Sequence, residues 1–300
     1  MKLSSTQLST LCQYAITAAK KGGGIIHEYA GKKVKVGKKI AADSLASQVV
    51  TAVDIKAQNS ILETLAPTIR EYQLALLSEE SPDNNSRFLK DYFWCIDPMD
   101  GTLAFTEQTP GYAVSIALVA KSGEPQLGVV FDPLTQNLYH AVKDQGAFLN
   151  QHPWQPDLQL TNKNTFTLHI DRTFLQYKHF NLFVDELKTV LKKYNISKLN
   201  IQKHAGAVLN AIWVLEQAPG CYFKLPKATP GGGSLWDFAA TACIFNEVGA
   251  VAKSFDDSLL DLNRKDSSFM NHRGVMYSSN QEIATLIRQF KSLARKNKSF

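Results

Sequence analysis

The apolar run Phe93-Trp94-Cys95-Ile96 leads without a break into Asp97-Pro98-Met99-Asp100-Gly101-Thr102. The run predicts a buried strand over 93–97, and the Gly-Thr step that follows is suited to opening a helix. A fold for this chain must therefore bring two carboxylates, three positions apart, to the end of a buried strand. Two hard oxygen donors there bind a divalent cation. Free backbone N–H groups at a helix start hold an anion. A cation site and an anion site within one turn point to phosphate chemistry.

Strand-like segments cluster around that motif. Residues 112–120, 126–131 and 137–142 alternate or run apolar, with turns at Ser122-Gly123 and Asp132-Pro133, which predicts an antiparallel meander. Upstream, Leu8, Leu11, Cys12, Ala15, Ile16 and Ala19 recur at a period of about 3.6 and predict a helix over 5–29. Gly22-Gly23-Gly24 argues against its being uninterrupted. A second helix is expected after Asp54, stopping at Pro67. Residues 151–166, rich in Pro, Asn, Gln and Thr, are read as the boundary between subdomains 1–155 and 156–300. Beyond it, expected strands (167–170, 220–224, 249–253, 274–278) alternate with expected helices (181–193, 205–216, 235–248, 280–296). Helices packed on sheets in both halves follow from this order, a chain of mixed α+β and α/β class.

With 300 residues and 44% hydrophobic content, the chain can bury a large core. The longest apolar runs fall short of a bilayer span, and no signal-peptide-like segment follows Met1. A cytoplasmic protein without a membrane partner is expected. Cys12, Cys95, Cys221 and Cys243 are scattered in apolar contexts, the pattern of buried free thiols. The net charge of +6 suits an anionic partner. Much of the excess lies in Lys32, Lys33, Lys35, Lys38 and Lys39, and in the tail Arg295, Lys296 and Lys298. Neither cluster is interleaved with aromatic residues, which argues against a nucleic-acid polymer. The tail reads as a solvated face. The lysine stretch alternates with Val34 and Val36 and contains Gly37, which fits a hairpin, either solvated or acting as a basic flap over a phosphate site.

More oxygen donors lie elsewhere. Glu79 and Glu80 follow the apolar run 74–77, where a strand gives way to a loop, and Asp237 opens a helix in Ser234-Leu235-Trp236-Asp237. The Met99 carbonyl is free if Asp97–Asp100 form a turn. No histidine adjoins any of these in sequence, so the set favours Mg²⁺ or Mn²⁺ over zinc. One shared carboxylate and two others suffice for two ions roughly 3.5–4 Å apart, the spacing of in-line phosphoryl displacement. Singly, each residue also has an ordinary role. Asp97-Pro98 starts turns, Asp237 fits a capping box with Ser234, Thr102 fits a helix cap, and Glu79-Glu80 fits a solvated pair. Jointly they point to metal-assisted chemistry.

The chain resembles the inositol monophosphatase family, within the lithium-sensitive, metal-dependent phosphatases that include 3′(2′),5′-bisphosphate nucleotidases and fructose-1,6-bisphosphatases. Asp97-Pro98-Met99-Asp100-Gly101-Thr102 matches its DPxDGT signature and Trp236-Asp237-Phe238-Ala239-Ala240 its WDxAA signature. Thr51-Ala52-Val53-Asp54, Ser78-Glu79-Glu80, Gly146-Ala147-Phe148-Leu149-Asn150 and Glu247-Val248-Gly249-Ala250 resemble further family motifs, in the family's order. The resemblance implies a layered αβαβα sandwich of the inositol monophosphatase and fructose-1,6-bisphosphatase type. It implies that residues 1–155 carry the first carboxylates, with 156–300 adding Asp237 and substrate contacts.

The resemblance further implies roles for residues. Glu79, Asp97 and the Met99 carbonyl would hold one Mg²⁺, and Asp97, Asp100 and Asp237 a second. A third, weaker ion would lie near Glu79, with Mn²⁺ as a substitute throughout. Thr102 and Asp54 would position and deprotonate the attacking water, and the N–H groups of Gly101 and Thr102 would hold the phosphate. The implied reaction is hydrolysis of a small phosphate monoester such as inositol monophosphate. A bisphosphate nucleotidase acting on 3′-phosphoadenosine 5′-phosphate is the alternative, and an inactive regulatory member the remote one. Family members are often homodimers, but no apolar stripe here marks such an interface. Departures bear on the substrate. Leu103-Ala104-Phe105 follows the signature where other members have Thr-Asn-Phe or Lys-Glu-Phe, and Ser78 stands for a usual Gly. Lys224 and Lys227 stand where inositol-specific members often carry a Glu, so they would either bind a second phosphate or end an edge strand at the surface. The Gly-rich loop 226–233 would contact the leaving group.

Overall fold

The computed structural model describes residues 2–30, 36–38, 49–160 and 163–294. Helix α1 (Ser5–Tyr29) starts in a capping box: the Ser4 hydroxyl accepts the Gln7 N–H, and the Gln7 side chain accepts the Ser4 N–H. The helix runs through Gly22-Gly23-Gly24 unbroken, contrary to the expected interruption. A Cβ on Gly22 would lie 2.8 Å from Ile61, and one on Gly23 would lie 2.2 Å from Phe131. These two glycines let the helix approach its neighbours, and the packing outweighs the roughly 1 kcal/mol intrinsic penalty of a helical glycine.

Strands β1 (Val36–Lys38) and β2 (Val49–Thr51) pair antiparallel, with Gly37 inside the strand opposite Val50. The other lysines of the basic stretch, Lys32, Lys33, Lys35 and Lys39, lie outside the described residues. So do Arg295, Lys296 and Lys298 of the tail. Helix α2 (Ala52–Glu71) carries Asp54 in its first turn and passes through Pro67 instead of stopping there. Pro67 and Glu63 are both exposed, so the carbonyl that loses its helical donor faces water. The helix is also anchored beyond the proline: the Thr68 hydroxyl donates to Leu65 O and accepts the Trp94 indole N–H.

A seven-stranded sheet follows in the order β3 (Ala75–Ser78), β4 (Tyr92–Asp100), β5 (Ala113–Ala120), β6 (Pro125–Phe131), β7 (Leu138–Val142), β8 (Ala147–Leu149) and β9 (His152–Pro153). From β4 onward it is the expected antiparallel meander; β3 lies parallel to β4. Short helix α3 (Thr102–Thr106) separates β4 from β5. A second sheet has the order β11 (Lys198–Gln202), β10 (Thr165–His169), β12 (Gly220–Lys224), β14 (Val275–Ser278) and β13 (Val251–Lys253), with both parallel and antiparallel pairs. Edge strand β11 has no counterpart in the sequence reading. Its pattern of Lys, Asn and Gln, with Leu199 and Ile201 only half-buried, is how an edge avoids further pairing.

Helices α1 and α2 cover one face of the first sheet through Trp94, Ile96, Val114 and Ile116. Helices α5 (Ala207–Glu216) and α6 (Leu235–Val248) lie between the sheets, against Phe93, Cys95 and Ala117 on one side and Tyr222, Val275 and Tyr277 on the other. Helices α4 (Phe180–Leu191) and α7 (Gln281–Arg288) cover the far face of the second sheet over Phe166, Leu168 and Phe223. The architecture is the αβαβα sandwich. Alternate residues of β4 enter different layers, which is why its apolar run is continuous.

The expected terminal helix is divided into α7 and α8 (Lys291–Ala294) at Phe290, which turns inward against Phe183. The four cysteines are free and buried, as expected. No described helix is long and apolar enough to cross a membrane. Two of the resemblance motifs meet in one turn: the Glu247 carboxylate accepts the N–H groups of Asp144 (2.9 Å) and Gly146 (2.8 Å).

Candidate functional site

Asp97 and Asp100 are three apart on β4, and residues three apart on a regular strand face opposite sides. The strand is not regular there. Asp97 pairs with Ser115 and Asp100 with Ala113, so β4 spends one more residue than β5 between the two. This β-bulge turns Asp100 away from the α1–α2 side, where Met99 is buried, towards the side Asp97 shares with Phe93 and Cys95. Pro98, with no N–H to give to the ladder, sits within the bulge. Met99 donates its N–H to Asp97 Oδ1 at 3.0 Å and closes it.

Asp237 comes from the first turn of α6. Its Oδ2 accepts the Ser234 N–H at 2.9 Å, so it fills the capping role read in the sequence while presenting its carboxylate to the cluster. Carboxylate oxygens of Asp97, Asp100 and Asp237 all lie within 4.8 Å of one another. Glu79, just past the end of β3, is close enough to Asp97 to act on its carboxyl both by charge and by hydrogen bonding. Asp100 is held by α5: its Oδ1 accepts the Ala207 N–H at 3.1 Å and its Oδ2 the Val208 N–H at 2.7 Å. Gly206 caps that helix, and a Cβ on it would lie 2.2 Å from Asp100 Oδ2.

The cluster is electrically costly. Burial first, then the charges of Glu79, Asp100 and Asp237, hold the Asp97 carboxyl well above its ordinary range. Asp100 is raised by burial and by Asp237, against the opposing effect of the Val208 N–H and the Lys224 ammonium. Asp237 is raised by burial, with Lys224 opposing. Two buried carboxylates and a half-buried one at this separation are unfavourable unless a cation compensates them. The donors are all oxygen, which fits a hard divalent ion.

The remaining residues surround this cluster. Gly101 has φ +86°, and a Cβ there would lie 2.3 Å from Gly111 O. It caps α3, whose first residue Thr102 is buried and donates its hydroxyl to Met99 O at 3.2 Å. The Met99 carbonyl, expected to be free, therefore already accepts one hydrogen bond and has one lone pair left. Asp54 is buried at the start of α2, and strand β2, which leads into that helix, packs against α3. Leu103 is half-buried on α3. Lys224, at the end of β12, forms an ion pair with Asp171 Oδ2 at 2.8 Å. Lys227 folds across its own loop, its ammonium 3.0 Å from the position a Gly231 Cβ would take.

Two features were not read in the sequence. One is the start of α5. The other is Asp171, which takes the Tyr222 hydroxyl on Oδ1 at 3.0 Å and Lys224 on Oδ2. Asp171 follows β10, which lies parallel to β12. The carboxyl end of such strands is where α/β sheets place ligand-contacting groups, a signal the sequence did carry.

The profile of the Inositol monophosphatase family matches residues 7–294. The chain belongs to the inositol monophosphatase family. Membership supports a phosphatase, of hydrolase class. An inositol-1-monophosphatase from Synechocystis sp. is 29% identical over 266 residues, covering 87% of this chain and 84% of the relative. The Nus factor SuhB of Escherichia coli is 28% identical over 242 residues, covering 80% and 84%. The crystal structure of a staphylococcal inositol monophosphatase-1, as a LiCl-soaked inhibitory complex, superposes with a TM-score of 0.71 at 18% identity, covering 100% of this chain and 98% of that one. That last likeness speaks to the fold alone.

Proposed function

We propose that this family member hydrolyses a small phosphate monoester, of the inositol monophosphate kind, with Mg²⁺ as its cofactor. The observation that carries the reading is the convergence of Asp97, Asp100 and Asp237 within 4.8 Å, beside the start of α3. Glu79, Asp97 and the Met99 carbonyl would hold one ion, and Asp97, Asp100 and Asp237 another. Bound there, divalent ions offset phosphate charge, acidify the attacking water and stabilise the leaving oxygen. The chain supplies the rest. The N–H groups of Gly101 and Thr102 bind the phosphate. The Thr102 hydroxyl turns from Met99 O towards Asp54, orients the water and passes its proton to that carboxylate. The water oxygen bonds to phosphorus as the ester P–O bond breaks; the leaving alkoxide takes a proton from solvent water, and Asp54 gives its proton back to solvent. Mn²⁺ substitutes, lithium inhibits, and the protein works in the cytoplasm.

The alternative substrate is a 3′,5′-bisphosphate, with Lys224 and Lys227 on its second phosphate. Against it, Lys224 already has Asp171 at 2.8 Å, which puts a carboxylate where that phosphate would approach. The test is phosphate release with Mg²⁺ from inositol 1-phosphate, 3′-phosphoadenosine 5′-phosphate and fructose 1,6-bisphosphate, each with and without lithium. A dominant rate on the inositol ester is expected. A dominant rate on the adenosine bisphosphate would replace this reading with the nucleotidase, and no release from any of the three would favour a regulatory member.

A further inference from the structure

The charges around the acidic cluster are unevenly distributed. The Lys224 side chain is only 15% exposed, and its ammonium is held 2.8 Å from Asp171 Oδ2. Asp171 is itself fixed by Tyr222. The same ammonium lies 5.7 Å from the centre of the Phe238 ring, the residue next to Asp237. Beyond Asp171, the charges that act on it are those of Asp237 and Asp100. At the other end of the cluster, the groups acting most strongly on Asp97 are all acids. A fixed positive charge thus stands at the Asp100–Asp237 end, whereas among the described residues the groups acting most strongly on Asp97 include no cation.

We propose that Lys224 is a built-in counter-cation for Asp100 and Asp237, and that by repelling a second cation it weakens divalent-metal binding at that end of the site. The inference rests on the metal reading given under Proposed function. Its physical basis is that like charges sharing a site largely withdrawn from water interact strongly and are little screened by salt. The negative charge of a bound ester phosphate would offset that repulsion. Lys224 therefore also makes occupation of this end depend on the substrate, without touching the reacting atoms.

The test is calorimetric titration of the metal-free protein with Mn²⁺, checked by counting bound Mn²⁺ from its spin-resonance signal. Neither readout depends on turnover. Lys224→Met is expected to tighten the weaker of the two Mn²⁺ sites at least tenfold and to change the tighter one by less than threefold. Lys224→Arg keeps the charge and is expected to leave both unchanged. Because Lys224→Met leaves Asp171 without its cation, the double variant Lys224→Met/Asp171→Asn serves where the single one does not fold. It is expected to show the same tightening. Unchanged affinity in the Met variants, or equal tightening at both sites, overturns the proposal alone. Failure of the unsubstituted protein to bind Mn²⁺ overturns it together with the metal reading.

Discussion

Asp100 Oδ2 accepts the backbone N–H of Val208 at 2.7 Å, across 108 positions of sequence. The start of α5 thus points its N–H groups, and the positive end of its dipole, at a carboxylate that the rest of the cluster repels. Asp100→Asn replaces one of these acceptors with an amide that meets an N–H donor. Asp237→Asn removes a charge from the cluster but can keep an oxygen on the Ser234 N–H. Both variants are expected to turn over below about one hundredth of the unsubstituted rate, with Asp100→Asn also less stable and Asp237→Asn not. Steady-state phosphate release and urea unfolding check this; near-normal rates in both would remove the cluster from the chemistry.

Gly206 tests the same contact from the other side. A methyl group there would sit 2.2 Å from Asp100 Oδ2 and 2.6 Å from the Gly101 N–H nitrogen. Gly206→Ala must displace the carboxylate or the turn that precedes α3. A misplacement of about 1 Å lowers rates by roughly 10²-fold, while overpacking destabilises by about 1–3 kcal/mol. A variant with full activity would show that the position of Asp100 is not critical.

Two neighbouring glycines of α1, Gly23 and Gly24, are expected to respond in opposite directions. Gly24 is exposed, with nothing within 4 Å of the place a Cβ would occupy, so Gly24→Ala should stabilise the protein by about 0.5–1 kcal/mol. Gly23→Ala drives a methyl into Phe131 and should destabilise it by about 1–3 kcal/mol. Chemical denaturation of the two variants measures both signs.

His169 is fully buried on β10, with the Trp213 ring centre 6.3 Å away. Burial pushes its pKa down from 6.5 to about 3. Between these values the unfolded chain takes up a proton that the folded one refuses, so stability is full above about pH 6.5 and falls as the pH drops through the window. The slope is about 1.4 kcal/mol per pH unit for one proton. His169→Phe should flatten the dependence of unfolding free energy on pH between 6 and 4 by about that amount. An unchanged slope would assign the acid sensitivity elsewhere.

The fold was legible in the sequence where one physical cause dominated. Continuous apolar runs bounded by Ser122-Gly123 and Asp132-Pro133 gave the meander, because both sheet faces are covered. Legibility failed where local propensity and packing disagreed. Gly22, Gly23 and Pro67 are helix breakers by propensity, yet close packing on Phe131 and Ile61, and solvent beside Glu63, keep both helices intact. In the site, Asp97, Asp100 and Asp237 stood out by residue type. That Asp97 and Asp100 share a side depends on a one-residue bulge, whose only local sign is Pro98. A lone Asp and a Gly-Ala step are ordinary in composition: Asp171 is marked only by its place after an expected strand, and the start of α5 by nothing until the fold brings it to Asp100.

Helix α6 belongs by sequence with the second sheet but rests its backbone on the first, where Ala240 O lies 2.2 Å from the position of a Gly128 Cβ. A ribosome therefore releases Glu79, Asp97 and Asp100 long before the segment that gathers them. Until residues 235–248 emerge, the nascent protein has an open face on its first sheet and an incomplete ring of acids. Covering this face of the sheet and completing the acidic cluster thus depend on the same late-made helix.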